Sequence, residues 1–530
     1  MCIKSKRNLV GGLVSSIALD SMSDTEKQEQ IYEERPRGVI YEDKPPDLSA
    51  KGISTYLSTR LSTLLDLPNS RISVINPIPA LRAMSASDWN WYGLGFVGWV
   101  IDAMDYFVVS AAATDIAKSL DVSVTEITWG MTLVLMVRSI GAIIFGFMSD
   151  RIGRKWPYIA CCAMFMVLEI GLGFVKTYKQ FLGVRAIFGI AMGGMYGTAA
   201  ATALENLPDQ SRSILAGLFP TGYNFGFILA VVFYRAFQFS YKEGEGWRAL
   251  CWFSAGPPFL LIIWRLCFPE GRYFDKLKEK REQEKHLNIG IMQELKEAFR
   301  NYWLIFLYLI LIMSGLNFLS HGTQDLYPTL LTTQAGMNPD IKTVTMVVFN
   351  LGAMCGGLTL GQISELLGRR LGIICGLIWT GAFVYSSFMI HSPQAIIPSS
   401  FFLQFGCAGA WSAAPIYLLE LSPATYRALA SGLAYQLGNL ASSASSTIEA
   451  TIGSRFPIEG KHEVYDYGKV MAIFTACVIL YLMIITFLGP ERFHRELHDF
   501  TGAIPDKESE EVDEHVVVVD KTGMEYEHRP

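Results

Sequence analysis

His321 and Asp325 stand four residues apart inside a long apolar run, which sets both on one face of a helix. A histidine beside a carboxylate can gain and lose a proton in the physiological range. Asp102 and Asp105, three apart and so on one face, lie in another apolar run, with Arg138 in the next. Glu169 and Arg185 lie in the two runs after that. Ionisable residues in such surroundings are expensive and usually functional. An arginine in low dielectric binds a carboxylate through two charge-assisted hydrogen bonds. Together these residues point to an anion moved with a proton. Carrying a lone anion into a negative compartment costs ~2.3 kcal/mol per charge per 100 mV, and one accompanying proton removes that cost. Each residue also has a plainer reading: His321 as a helix-packing donor, Arg185 as a structural arginine, Glu169 as a buried hydrogen-bonding group.

The elements that must position these residues follow from the apolar runs. Hydrophobic residues make up 51% of the 530-residue chain and charged residues 18%, which is poor in charge for soluble domains. The runs are about 20 residues long, the length that crosses hydrocarbon. Twelve are found: near 91–113, 125–148, 157–175, 181–204, 212–236 and 247–267, then near 303–326, 342–364, 370–391, 396–420, 426–450 and 468–489. Backbone in lipid must bond to itself, so each run is a helix. The fold class is an all-α membrane protein of twelve transmembrane helices in two six-helix bundles. The expected organisation is a tail over 1–88, a first bundle over 89–268, a central loop over 269–301, a second bundle over 302–490 and an acidic tail over 491–530. The last of these, including Glu508 to Asp520, is expected to be disordered.

Lys and Arg in short loops set the orientation. With the N-terminus cytoplasmic, fifteen fall inside: Arg151, Arg154, Lys155, Arg212, eight in the central loop, Arg369, Arg370 and Arg427. Seven fall outside: Lys118, Lys176, Lys179, Lys242, Lys342, Arg455 and Lys461. Both termini are therefore expected inside. Lys4, Lys6 and Arg7 before the run Leu9 to Leu19 resemble a short signal peptide, but the long polar stretch that follows favours a cytoplasmic tail. The net charge of −5 suggests no nucleic-acid partner. Eight of the nine cysteines lie in or beside apolar runs, without metal-ligand or redox spacing, so no metal site and no cofactor are expected. No nucleophile–base set or phosphate-cradling loop appears, which argues against an enzyme.

Two stretches recur at one offset. Gly146-Phe-Met-Ser-Asp150-Arg-Ile-Gly153-Arg154-Lys155 returns as Gly361-Gln-Ile-Ser-Glu365-Leu-Leu-Gly368-Arg369-Arg370, 215 residues on. Glu205-Asn-Leu-Pro208-Asp-Gln-Ser-Arg212 returns as Glu420-Leu-Ser-Pro423-Ala-Thr-Tyr-Arg427 at the same offset, which Gly217/Gly432 and Asn224/Asn439 also keep. The halves are duplicates. Asp150, Arg154, Glu205 and Arg212, with Glu365, Arg369, Glu420 and Arg427, can latch a cytoplasmic gate; the plainer reading is a pair of tight basic loops.

The first repeated turn resembles the loop motif of the major facilitator superfamily. Arg185-x-x-x-Gly189-x-x-x-Gly193 resembles its second motif. The resemblance, over about residues 88 to 490, implies alternating access around a midplane site between two bundles. Asn317-Phe-Leu-Ser320-His321-Gly-Thr323-Gln324-Asp325-Leu-Tyr-Pro-Thr329 resembles the diagnostic segment of the Jen family of fungal carboxylate–proton symporters. That resemblance implies uptake of lactate, pyruvate, acetate or related mono- and dicarboxylates, with the proton as coupling ion, across the plasma membrane. It places Asn317, Ser320, His321, Thr323, Gln324 and Asp325 on the path and implicates helix eleven, which offers Gln436 and Asn439. Gln436 and Asn439 also read as polar interhelical contacts. Helix five offers Tyr223, Asn224 and Phe225, whose rings can set substrate size. The expected partners are a small carboxylate, protons and the lipid bilayer, with the tails open to regulatory proteins.

Other readings compete. A proton symporter of another organic anion, an aromatic acid or sialate, uses the same scaffold and fits Asp102 and Asp105 equally. A drug antiporter fits the helix-five segment Gly217 to Gly222 poorly, and a sugar leaves Arg138 without a partner. A transporter-like nutrient receptor would bind without accumulating substrate.

Overall fold

The computed structural model describes residues 49–67, 81–270 with breaks between 206 and 216 and at 243, 291–422 except 391, 427–457, 465–492, 516–519 and 525–528. Side chains at 150, 151, 291–299, 301, 365 and 427–431 are not described, and with 212 they take Asp150, Arg212, Glu365 and Arg427 out of the account. The run Leu9 to Leu19 and most of the acidic tail also lie outside the described residues.

The first half contains α1 (Ala86–Leu120), α2 (Val124–Ile152), α3 (Lys155–Phe174), α4 (Tyr178–Leu204), α5 (Thr221–Phe237) and α6 (Gly246–Ser254 continued by Gly256–Leu266). The second contains α7 (Ile291–Gln324, then Tyr327–Thr333), α8 (Pro339–Leu367), α9 (Arg369–Phe388), α10 (Pro393–Ser412, then Ala414–Leu421), α11 (Arg427–Ser442, then Ser445–Gly453) and α12 (Tyr467–Leu488). Ten of these are long and apolar enough to cross a membrane by length and composition. The other two are α5, at 17 residues, and α11, which breaks after Ser442. Helix starts are written locally: Ser85 with Asp88 and Ser123 with Glu126 form capping boxes at α1 and α2. Prolines open the second pieces of α6, α7 and α10, where a missing N–H is harmless. α7 extends back to Ile291 across a kink at Tyr302, so the end of the expected central loop is helical.

The duplication is visible in three dimensions. Gly153 (φ 94°) ends α2 and Gly368 (φ 86°) ends α8, 215 residues apart, in a conformation that side chains with a Cβ resist. α4 lies so close on α2 that a Cβ on Gly193 would overlap the Arg138 carbonyl. Gly356 of α8 meets the Phe405 carbonyl of α10 in the same way. Small residues thus let backbones touch where lipid offers no hydrophobic driving force. Large apolar side chains such as Ile143, Phe174, Leu260 and Tyr385 are exposed, as a lipid-facing surface requires.

The repeated turns pair within each half. Arg154 Nη2 meets Glu205 Oε1 at 3.1 Å, and Arg369 Nη2 meets Glu420 Oε1 at 3.1 Å. These described pairs tie each turn to the end of α4 or α10 in its own half. Carboxylates that sequence reasoning missed cap the helices that follow. Glu270 accepts from the Arg154 and Lys155 N–H groups at 3.0 and 3.1 Å, and Glu491 accepts from those of Arg369 and Arg370 at 3.2 and 3.1 Å.

Two tail features depart from expectation. Within the N-terminal tail, Ala50–Ser58 and Arg60–Leu65 are helical and dock on the second half, where Arg60 Nη1 donates to the Gly489 carbonyl at 2.8 Å and Tyr56 Oη to that of Leu488 at 2.8 Å. In the tail expected to be disordered, Val516–Val519 pairs antiparallel with Glu525–His528. Four consecutive valines favour extended backbone over helix, so the chain is not helical throughout.

The two ion pairs differ in burial. Arg369 and Glu420 side chains are 2% and 3% exposed, Arg154 and Glu205 16% and 22%. Glu420→Ala strands a buried guanidinium and costs about 3–5 kcal/mol, whereas Glu205→Ala, nearer water, costs about 1 kcal/mol or less. Thermal unfolding of the purified protein in detergent checks this, with the lower Tm expected for E420A.

Candidate functional site at the interface of the halves

The halves are tied at the ends of their helices remote from the repeated turns. Ser110 Oγ of α1 donates to the Asp325 carbonyl at 2.6 Å, and Thr128 and Thr132 of α2 bond to Thr447 of α11 at 3.1 and 2.8 Å. Arg235 of α5 meets Asp340 of α8 at 2.7 Å. Lys342, expected in an exposed loop, is buried in the first turns of α8 and donates to the Ala111 carbonyl at 3.0 Å. Nearer the middle, Ser139 Oγ donates to the Gln436 carbonyl at 3.3 Å, and Tyr196 stacks on Tyr435 at 5.5 Å.

Arg138 occupies this middle zone. It is 2% exposed, and its Nε and Nη2 atoms have no hydrogen-bond partner. Its guanidinium lies over Trp99 of the first half at 5.7 Å and Tyr435 of the second at 5.9 Å. Tyr223 of α5 stacks against Trp99 at 5.6 Å and meets Phe107 edge-on at 5.0 Å. Asp102 is the acidic neighbour of Arg138. The result is a cation with free N–H groups in an aromatic lining drawn from both halves. Trp99, Tyr196 and Tyr435 were not singled out from the sequence, where aromatic residues inside spans carry no distinguishing signal.

The two aspartates of α1 are both fully buried and serve different neighbours on other helices. Asp102 faces Arg138, while Asp105 lies in the field of Glu169 and Arg185. Three residues advance a helix by about 300°, enough for neighbours on different helices. Glu169 and Arg185 thereby join a buried charge group. Arg185 lies over the Tyr106 ring at 5.9 Å.

Tyr106 carries that group across to the second half. Its hydroxyl donates to Asp325 Oδ2 at 3.2 Å, and His321 Nδ1 lies 3.1 Å from the same oxygen. Asp325 sits where α7 breaks, between Gln324 and Tyr327. The break frees backbone groups, and Ser110 takes the Asp325 carbonyl.

The helix-seven segment divides by face. Asn317, His321 and Asp325 form the stripe that includes the contact with α1; Asn317 Nδ2 is buried, unpartnered and close to Gly438 of α11. Thr323 and Gln324 turn to Gln404 of α10: Gln324 Nε2 donates to Gln404 Oε1 at 3.2 Å, and Gln404 Nε2 to Thr323 Oγ1 at 2.8 Å. Gln404, absent from the sequence reading, makes these two residues an intrahalf brace. Ser320 is half-buried, and its carbonyl accepts from Thr323 Oγ1 at 3.1 Å. On α11, Asn439 Nδ2 returns to the Tyr435 carbonyl at 3.1 Å, while Gln436 keeps a buried Oε1 without a partner. On α5, Tyr223 faces the lining, Asn224 is half-buried, and Phe225 is exposed on the other side.

Known proteins share this architecture. The profile of the family described as "Sugar (and other) transporter" matches residues 80–503. A Saccharomyces cerevisiae protein named carboxylic acid transporter protein homolog is 43% identical over 506 residues, covering 91% of this chain and 82% of that protein. The sialic acid transporter NanX of Escherichia coli is 26% identical over 405 residues, covering 74% and 92%. Among solved structures, the Escherichia coli xylose transporter XylE in a partially occluded inward open conformation superposes with a TM-score of 0.61 at 16% identity, covering 77% of this chain and 99% of that one, a likeness of fold alone. The chain belongs to the sugar (and other) transporter family of the major facilitator superfamily, within it to the Jen group that its helix-seven segment resembles, and is a multi-pass membrane carrier.

Proposed function

We propose that this carrier takes up short carboxylic acids, such as lactate, pyruvate, acetate and related mono- or dicarboxylates, by proton symport at the plasma membrane with both termini cytoplasmic. The observation that carries the reading is Arg138, a buried guanidinium with unpartnered N–H groups between aromatic rings of the two halves. A carboxylate fits that fork, and its small apolar remainder fits the rings. The name of the yeast relative supports the same substrate class. Asp102 is the acidic neighbour of that guanidinium. On the orientation taken from the loop charges, the tied ends face outside, and substrate leaves toward the cytoplasm. His321 and Asp325 form a polar pair at the seam, joined to the first half through Tyr106.

A second reading, an aromatic acid or sialate as substrate, is favoured by the four rings Trp99, Tyr196, Tyr223 and Tyr435. Competition decides between them: unlabelled acetate, succinate, benzoate and sialate are tested against labelled lactate uptake in cells that lack other carboxylate carriers. Accumulation against a gradient also separates a carrier from a receptor.

Three outcomes are expected in those cells. Arg138→Lys keeps the charge but loses the fork, and lactate uptake falls on the order of a hundredfold at unchanged membrane abundance; native uptake by R138K and by R138Q would remove the anchor. His321→Ala or Asp325→Ala abolishes uptake while the protein stays in the membrane, so full activity in both overturns the helix-seven assignment. Uptake falls as external pH rises, because the proton is a co-substrate: one unit removes about 1.4 kcal/mol of driving force per proton. A flat pH profile rules out proton coupling.

A further inference from the structure

Glu449 lies in the second piece of α11, Ser445–Gly453, a segment whose carboxylate nothing above employs. It is fully buried, and neither carboxylate oxygen has a hydrogen-bond partner. Its Oε1 lies 3.2 Å from where a Cβ would stand on Gly322, the residue after His321. The absent side chain therefore makes the space that the carboxyl group occupies. Phe474 of α12 closes the same space, 2.6 Å from that Cβ position.

The groups around it are few. α7 presents His321 and Asp325, and Asp325 is its electrostatic neighbour. α2 presents Thr128 and Thr132, whose hydroxyls are bonded to Thr447. The described charged residues of α2 point elsewhere: Glu126 caps its own helix at Ser123, and Arg138 lies over Trp99 and Tyr435. α12 presents Tyr467, packed on Gly453, and Phe474, while Lys469 lies over Phe456. Among the described residues Glu449 has no ion-pair partner.

Asp325 is differently placed, because it already receives the Tyr106 hydroxyl and lies against His321. Hydrogen bonds to a carboxylate favour its charged form, whereas a carboxylate with no partner in an apolar site is most cheaply held with a proton. We infer that Glu449 binds the symported proton, and that the His321–Asp325 pair serves as the fixed polar seam beside it. The proton reaches the carboxyl from water on the side from which substrate enters. It leaves to water on the opposite side after the substrate carboxylate has gone, so one anion and one proton cross without net charge. This role rests on the proton-coupled reading above.

The test uses the full chain in membrane vesicles, with labelled lactate as probe. At equilibrium an outside pH one unit below that of the lumen drives about tenfold accumulation through one coupled proton. Glu449→Gln keeps the shape and removes the titratable group. E449Q is expected to lose that accumulation and to flatten the pH profile, while lactate counterflow, which needs no net proton movement, continues. Wild-type accumulation and pH dependence in E449Q would overturn the assignment. If E449Q does not reach the membrane, Glu449→Asp decides: a pH profile displaced by about half a unit supports the role, and an unmoved profile refutes it. A wild-type carrier that itself ignores the pH gradient would refute proton coupling as a whole, a result distinguishable from failure of Glu449 alone.

Discussion

Hydrocarbon offers no hydrogen bond to a charge, so every ionisable group in these helices must find its partner inside the protein or await one from outside. That constraint organises the molecule. Arg369 and Glu420 satisfy it completely, with guanidinium Nε and Nη2 both donating to one carboxylate. Arg154 and Glu205 satisfy it nearer to water. Arg138 does not satisfy it, and the free N–H groups lie where the two halves meet. A buried pair is weak evidence for stability but strong evidence against substitution of one member.

The duplicated plan explains how such an arrangement is held open. Gly153 and Gly368 turn the chain at equivalent points, and Glu270 and Glu491 each cap the helix that follows. These contacts make each half a braced unit. The described bonds between halves involve other residues: Ser110 with Asp325, the threonines of α2 with Thr447, and Arg235 with Asp340. Individual hydrogen bonds between membrane helices contribute only about 0.6 kcal/mol on average. A few such ties can therefore close one end and still release it, which alternating access demands.

The polar chain from Arg185 through Tyr106 to Asp325 and His321 crosses that seam. Its members come from α4, α1 and α7, so a change of charge at one end acts on both halves. The break of α7 at Asp325 matters here. It places a carboxylate and a free backbone carbonyl together at the junction, where Ser110 and Tyr106 of the other half meet them. Symmetry supplies the scaffold, and the departure from it at mid-membrane supplies the chemistry: register lays Asn317 over Asp102 and His321 over Tyr106.

By itself the sequence determined whatever depends on neighbours along the chain. Apolar run length set the spans, because a helix in lipid closes its own hydrogen bonds. The 215-residue register exposed the two halves, and the polar helix-seven segment pointed to the site. What depends on which face meets which helix was decided by tertiary structure. The motif arginines pair within each half, Asp102 and Asp105 serve different neighbours, and Phe225 points away from the lining. Thr323 and Gln324, inside one motif with His321, instead brace Gln404 eighty residues away. Glu449 was overlooked for the same reason: a carboxylate near the end of a span reads as exposed until packing covers it. Periodicity along one helix states that residues share a stripe, but only the packed neighbours state whether that stripe meets lipid, a partner or a path.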